Sequence, residues 1–459
     1  MPLTLSRQNI KSYNNQRPKA STNMLCWAPF RSMYIGFRGN ISVCCFNKTH
    51  VIGKYPQQSL KETWFGEKAE AIRKAIINED FSMGCHGCHE IITANNFKNL
   101  PAKNFDFLKA GRKGYPTKID FELSNECNLE CIMCRGEFSS AIRRNREKLP
   151  PIPSPYDQTF LRQLEEFIPH IESSHFLGGE PFMVPIYLEI WERMAVMNPS
   201  AKISIQTNGT VLSERIKKIL SSMRFDIAVS IDSFNKENYE KIRINAVFEK
   251  VMENINYFRE YCNNKNTLFS ISYCPMPQNW RELPDVIRIC NQLKAKVFFN
   301  TVYFPIECSF TALPLEELEH ITNELSKTVL PSSSALEKYN MQCFEGVINQ
   351  LNFWKNEARQ RAENLKPVPI TTIPLYFNAL ENYILKNKEI DKHEKLELFK
   401  NIKEKLAYIL EEAAKYDLHE KAEQHLLEID FKTLCNALAN VDKEHTLYLF
   451  KSFMMPLPE

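Results

Sequence analysis

The chain has 459 residues, 44% of them apolar and 25% charged, the balance of an ordinary globular protein with room for two or three domains. A formal net charge of +3 is too small to argue for a polyanionic partner or a charged membrane surface. The first twenty residues lack an apolar signal core, and no apolar run is long enough to cross a bilayer. Neither nucleic acid nor membrane is therefore expected as a partner, and a cytoplasmic location is.

Residues 1–105 carry cysteine clusters, glycines and one amphipathic stretch at 60–77. Its Trp64, Ile72, Ala75 and Ile76 recur near helical spacing. Residues 106–117 read as a linker. From Lys118 the pattern alternates, with strands predicted at 118–124, 173–179, 201–209, 225–233, 268–274 and 296–304. Helices are predicted between them at 185–197, 213–223, 247–262 and 283–293. Six strands joined by helical crossovers imply a parallel sheet of βαβ units, whose chemistry collects at the carboxyl ends of the strands. Beyond residue 311 strand signals fade into helix patterns at 314–330, 335–365 and 393–417. Their mixed charges read as solvated faces, as does the basic run at 143–148. The expected division is 1–105, 115–310 and 311–459.

The fourteen cysteines of a cytosolic chain should be thiols or metal ligands and not disulfides. Cys262, Cys274, Cys290, Cys308, Cys343 and Cys435 are scattered singly and read as small buried hydrophobes. The other eight lie in clusters before residue 135. Three of them, Cys127, Cys131 and Cys134, are separated by three and two residues. A 4Fe–4S cluster takes four thiolates, so a tight three-thiolate loop leaves one iron open to a small ligand. A partial zinc site is the rival reading of the same spacing.

Other motifs follow in order: GGEPF at 178–182 after the second strand, TNG at 207–209 after the third, SIDSF at 230–234 after the fourth, then Arg243. With the triplet, they resemble the radical S-adenosylmethionine (SAM) enzymes over roughly residues 115–310. The resemblance implies an α/β fold, a partial (β/α)6 TIM-like barrel with a small N-terminal iron–sulfur domain and an α-helical C-terminal extension. It implies cluster ligation by Cys127, Cys131 and Cys134, and SAM contacts from Gly178, Gly179, Glu180, Asn208, Ser230, Asp232 and Arg243. Relatives often carry an aromatic residue where this chain has Met133, whose thioether can still pack on a purine. An electron from a low-potential donor, flavodoxin or ferredoxin, would cleave SAM to methionine and a 5′-deoxyadenosyl radical. That radical would take a hydrogen atom from the substrate. Cys274 and Cys308 follow predicted strands five and six and are candidate hydrogen donors to a substrate radical.

The N-terminal cysteines follow a second pattern: Cys26, twelve residues, Gly39, four residues, Cys44, then Cys45, and later Cys85 and Cys88. This resembles the auxiliary-cluster module called SPASM, or its shorter form, twitch, placed here ahead of the barrel. One auxiliary 4Fe–4S cluster is implied, held by Cys26, Cys44, Cys85 and Cys88, with Cys45 as spare or substitute for Cys44. Structural zinc and, from CHGCH, c-type haem are the rival readings. His86 and His89 are expected beside the cluster, not on it. The implied cofactors are SAM and two 4Fe–4S clusters. The implied substrate is a ribosomally made peptide, or alternatively a small molecule such as a sugar, nucleotide or amino-acid derivative; a non-catalytic metal scaffold is the third reading.

Overall fold

The computed structural model describes residues 2–438 except 48–49, 98–99, 109–110, 365–372, 387–391, 415–421, 424–425, 428 and 430. Residue 365 and residues 415–417 of the helix patterns above therefore lie outside the described residues. The chain divides into two compact units. The first comprises Met1–Pro275, Arg281–Asn300 and Val329–Glu345; the second comprises Met276–Trp280, Thr301–Thr328 and Gly346–Glu459. Among the described residues no helix is long and apolar enough to cross a membrane.

The first unit is built on one nine-stranded sheet. In chain order the strands are β1 (Ser32–Gly36), β2 (Asn40–Ser42), β3 (Gly53–Lys54), β4 (Lys118–Glu122), β5 (Ser173–Phe176), β6 (Lys202–Thr207), β7 (Arg224–Ser230), β8 (Phe269–Tyr273) and β9 (Lys296–Phe299). Their spatial order is β3-β2-β1-β4-β5-β6-β7-β8-β9. All six predicted strands are present, as β4 to β9, and every neighbour among them is parallel. This is the partial (β/α)6 TIM-like barrel. The N-terminal segment extends it: β1 pairs parallel with β4 from Ser32–Lys118 to Gly36–Glu122, and β2 and β3 add an antiparallel edge.

Alternation along the strands separates two faces. On one, Phe121, Phe176, Ile203, Ile227 and Val297 are fully buried against the helical layer. Here Phe176 stacks on Phe121 at 4.7 Å and meets Trp191 edge-on at 5.1 Å. Trp191 belongs to the helix Pro185–Met197, whose proline occupies the first turn, where its missing N–H costs nothing. Ser213 caps the helix Glu214–Ser222, and Asn266, left-handed, ends Phe248–Lys265. The other face is polar.

Three local readings change. The stretch at 60–77 is two helices, Leu60–Phe65 and Glu67–Ile77, broken at Gly66; Ser59 and Glu62 close a capping box on the first. The crossover from β4 to β5 holds two helices that periodicity did not reveal, Ser140–Asn145 and Gln158–Glu165. The supposed linker is anchored at both ends. Asp106 forms a buried ion pair with Arg17, and the Gly114 carbonyl accepts from Trp64 Nε1 at 2.8 Å.

In the second unit, helices Leu315–Ser326, Ile373–Lys386, Lys392–Ala414 and Phe431–Leu438 follow, together with part of Ala335–Asn364. Tyr376, Leu380, Ile384, Ile402, Leu406 and Ile409 form its core.

Candidate active site

The cysteine triplet lies in the loop that leaves β4, and that loop is pinned from several sides. Leu123 N–H donates to Tyr187 Oη at 2.7 Å. Cys127 N–H donates to Ser140 Oγ, whose hydroxyl donates back to the Cys127 carbonyl, each at 3.1 Å. Ser139 Oγ donates to the Leu129 carbonyl at 2.7 Å. Glu130 and Ile132 N–H donate to the carbonyls of Ile244 and Ile242, which tie the loop to the segment around Arg243. Burial pushes the Cys127 and Cys131 thiols up to about 12 and Cys134 to about 11. After burial, the largest upward influence on Cys127 comes from Cys131, and that on Cys134 from Cys127, so the three form one group. Met133 sits half-buried between them in the loop.

The GGEPF turn packs directly on this loop. Gly178 and Gly179 adopt φ of +81° and +53°. A Cβ at Gly179 would stand 2.2 Å from the Glu126 carbonyl oxygen, and one at Gly178 2.7 Å from that of Ser124. Only glycine permits this approach. Gly179→Ala is expected to push the triplet loop outward and to lower the unfolding free energy by about 2 kcal/mol or more, read from urea denaturation.

Glu180 was expected to meet the SAM amino group. Its side chain is fully buried, and its oxygens accept from Thr207 Oγ1 at 2.7 Å, Asn208 N–H at 2.6 Å and Phe182 N–H at 3.1 Å. Burial raises its carboxyl to about 7 against these donors. What it holds here is the TNG turn after β6. That turn delivers Asn208, whose Nδ2 donates to Cys127 Sγ at 3.8 Å and to Asn128 Oδ1 at 3.1 Å. Asn128, not singled out from the sequence, thus links the triplet loop to the β6 turn.

Arg243 and Asp232 form a buried ion pair at 2.7 Å. Arg243 Nη1 also donates to Cys131 Sγ at 3.9 Å, and its Nε is buried without a hydrogen-bond partner. Burial alone would lower the guanidinium, but Asp232 and Cys131 more than offset this and hold it above its ordinary value. Asp232 Oδ1 accepts from Cys274 N–H at 2.7 Å. Burial, then Asp232, pushes the Cys274 thiol well up, and Cys131 lies within its electrostatic reach. Cys308 is fully buried within the second unit.

Ser230 enters a different network. Gln206 Nε2 donates to Ser230 Oγ and to Ser272 Oγ, both at 3.1 Å, and Asn300 Nδ2 donates to Ser272 Oγ at 2.7 Å. These side chains line the polar face of the sheet. The signal for them was in the strands themselves. Parallel strands covered on both faces read as continuous apolar runs, yet β6 alternates Ser204, Gln206 and β8 alternates Ser270, Ser272.

The N-terminal cysteines also gather. Cys26 and Cys44 are buried, and Cys85 and Cys88 half-buried. Burial raises all four; Cys26 then feels Cys44, Cys85 and Cys88, and Cys44 feels Cys45 and Cys85. Cys45 acts on Cys44 and Tyr34. Asn47 Nδ2 donates to Cys85 Sγ at 3.5 Å. His89 meets the Thr4 carbonyl at 3.2 Å. Among the described residues, no three Cys, His, Asp or Glu side chains close on one point as ligands of a single ion would.

Residues 121–290 match the Radical SAM superfamily model, and residues 26–89 match the model of SPASM, an iron–sulfur cluster-binding domain. The chain thus carries a radical SAM domain and, ahead of it, a SPASM domain. Among curated proteins it is similar to a probable GTP 3′,8-cyclase of Methanocaldococcus jannaschii, 26% identical over 188 residues, 41% of this chain and 58% of that protein. It is also similar to a cysteine-type anaerobic sulfatase-maturating enzyme of Clostridium novyi, 30% identical over 161 residues, 32% of this chain and 41% of that one. It thus spans about half the length of the curated relatives it matches. The crystal structure of Streptococcus suis SuiB bound to precursor peptide SuiA aligns at 14% identity and a TM-score of 0.34, covering 57% of this chain and 51% of that one.

Proposed function

We propose that this protein is an enzyme that reductively cleaves SAM at a 4Fe–4S cluster held by Cys127, Cys131 and Cys134 and takes hydrogen from a peptide. The observation that carries this reading is the gathering of three thiols, Cys131 buried and Cys127 and Cys134 half-buried, beside Asn208 from the end of β6 and Arg243 from the end of the helix Lys236–Ile242. The donor set fits the cluster. Burial holds the thiols toward the neutral form and Arg243, beside Cys131, offsets this only in part, a cost that thiolate–iron bonding would remove. The unpartnered Arg243 Nε fits a carboxylate such as that of SAM. When bound, the cluster and SAM supply a carbon radical able to take hydrogen from an unactivated C–H bond.

In this reading Gly178 and Gly179 let backbone approach the amino group of SAM, and Glu180 positions Asn208. Asp232 holds Arg243, whose guanidinium faces the SAM carboxylate. Asn208 and Arg243 donate toward Cys127 and Cys131, and hydrogen bonds to sulfur raise the potential of iron–sulfur clusters. Met133 packs against the adenine. Cys274 is our candidate for returning a hydrogen atom to substrate; Cys308 is fully buried in the second unit. Cys26, Cys44, Cys85 and Cys88 would hold the second cluster, which would supply an electron relay, and a flavodoxin or ferredoxin would supply the first electron.

The sulfatase-maturating relative favours a peptide substrate by its name, and the GTP cyclase relative favours a small molecule. Anaerobic reconstitution with dithionite and SAM tests the shared chemistry. Methionine and 5′-deoxyadenosine are expected in equal amounts, and neither product appearing would refute it.

A further inference from the structure

The polar face of the sheet carries hydrogen-bonding capacity that the protein itself does not use. In the row Gln206, Ser230, Ser272 and Asn300, both carboxamides spend N–H groups on the serines. Among the described residues, Gln206 Oε1 and Asn300 Oδ1 accept no hydrogen bond and remain acceptors. Each serine oxygen has accepted, so each hydroxyl hydrogen remains a donor. Two hydroxyl donors therefore lie between two carboxamide acceptors along one line across β6, β7, β8 and the residue after β9. Gln206 and Asn300 are partly accessible while Ser230 and Ser272 are buried between them, so the two carboxamides are the open ends of the row.

The row is also uncharged, and its surroundings are electrically closed. Deeper on the same face, Lys118 pairs with Asp120, beside His175, which burial keeps neutral. Arg243 is committed to Asp232. Lys202, Arg224 and Lys296 are the first residues of their strands, at the end of the sheet away from the triplet. Among the described residues of these strands, a triphosphate or other polyanion would meet no free cation at this row, and its desolvation would go uncompensated. A group with its own paired C=O and N–H suits it.

We propose that Gln206, Ser230, Ser272 and Asn300 form the substrate-recognition floor of the barrel, and that the group they hold is a peptide amide. This inference rests on the radical SAM reading above and narrows it: the row selects a neutral backbone and rejects a nucleotide. Gln206 and Asn300 are specificity-determining residues here, outside the SAM contacts.

The test uses full-length protein with clusters reconstituted anaerobically and SAM present. The probe is a synthetic library of N-acetylated, C-amidated hexapeptides, with retained members quantified by mass spectrometry. GTP is run as the anionic alternative. Gln206→Leu and Asn300→Leu are compared after each is checked for wild-type thermal unfolding. A subset of peptides retained by the wild type is expected to weaken roughly tenfold in each variant, one hydrogen bond's worth. GTP is expected not to be retained. A matched library with N-methylated backbone amides keeps the test decisive where a variant fails to fold, and it should bind about tenfold more weakly or worse. No retained subset, equal retention of both libraries, or GTP binding that the variants abolish would each overturn the floor. Formation of 5′-deoxyadenosine is measured on the same samples. Its absence counts against the radical chemistry; its presence without peptide retention counts only against the floor.

Discussion

Cys131→Ala is expected to abolish release of 5′-deoxyadenosine and to cut iron from about eight atoms per chain to about four, one cluster's worth. Cys131 is the triplet member with the most protein around it. It is buried, it receives Arg243 Nη1 at 3.9 Å, and the peptide N–H of the next residue is tied to Ile242. In the function proposed above, removing its sulfur takes away one of the three ligands of the SAM-binding cluster. Cys262→Ala is the control. That thiol lies buried in the helix Phe248–Lys265, where its Sγ donates to the Leu268 carbonyl at 3.5 Å. It should keep both clusters at the cost of a small cavity. Iron analysis and product chromatography decide, and turnover retained by Cys131→Ala would dismiss the triplet.

The second large effect concerns Arg243→Met. The substitution strips a fully buried carboxylate, Asp232, of its counter-charge, and breaking a buried pair from one side costs about 3–5 kcal/mol. The pH dependence has a definite sign. Burial already raises Asp232 above its ordinary value with Arg243 in place, and removing the guanidinium must raise it further. A carboxyl whose folded pKa exceeds its unfolded one favours the folded state below the unfolded value, near 3.9, and that contribution is lost as pH rises through the folded value. The variant should thus lose more stability between about pH 5 and pH 8 than the wild type does. Adding Asp232→Asn should recover much of the loss. Urea denaturation at the two pH values measures both, and a pH-independent deficit would mean that Asp232 does not take up a proton when its counter-charge is removed.

The sequence was most legible where chemistry and periodicity coincided. Strands β4 to β9 and the helix Pro185–Met197 announced themselves because apolar residues fall at the right repeat and the motifs sit at strand ends. The helices Ser140–Asn145 and Gln158–Glu165 did not, because each is short and set in a stretch rich in proline and charge. The polar row needed more than the strand assignment, because Gln206, Ser230, Ser272 and Asn300 come from four segments that only the pairing of the sheet brings together. The roles of Glu180 and Ser230 could not come from the sequence either. Whether a carboxylate faces a ligand or an adjoining turn depends on where Thr207 and Asn208 are brought by β6. The attachment of β1 to β4 was equally out of reach, since parallel pairing between Ser32 and Lys118 leaves no local trace.

That pairing has a consequence for assembly. The chain between β1 and β4 contains Cys44, Cys45, Cys85 and Cys88, so the edge of the barrel forms only when a long loop has closed. Closing such a loop is slow and entropically costly. An iron–sulfur cluster joining Cys26, just before β1, to Cys85 and Cys88 would shorten that loop in the unfolded chain as a cross-link does. Metal delivery and barrel completion would then be one event, and protein made under iron limitation would accumulate with its first strand unpaired.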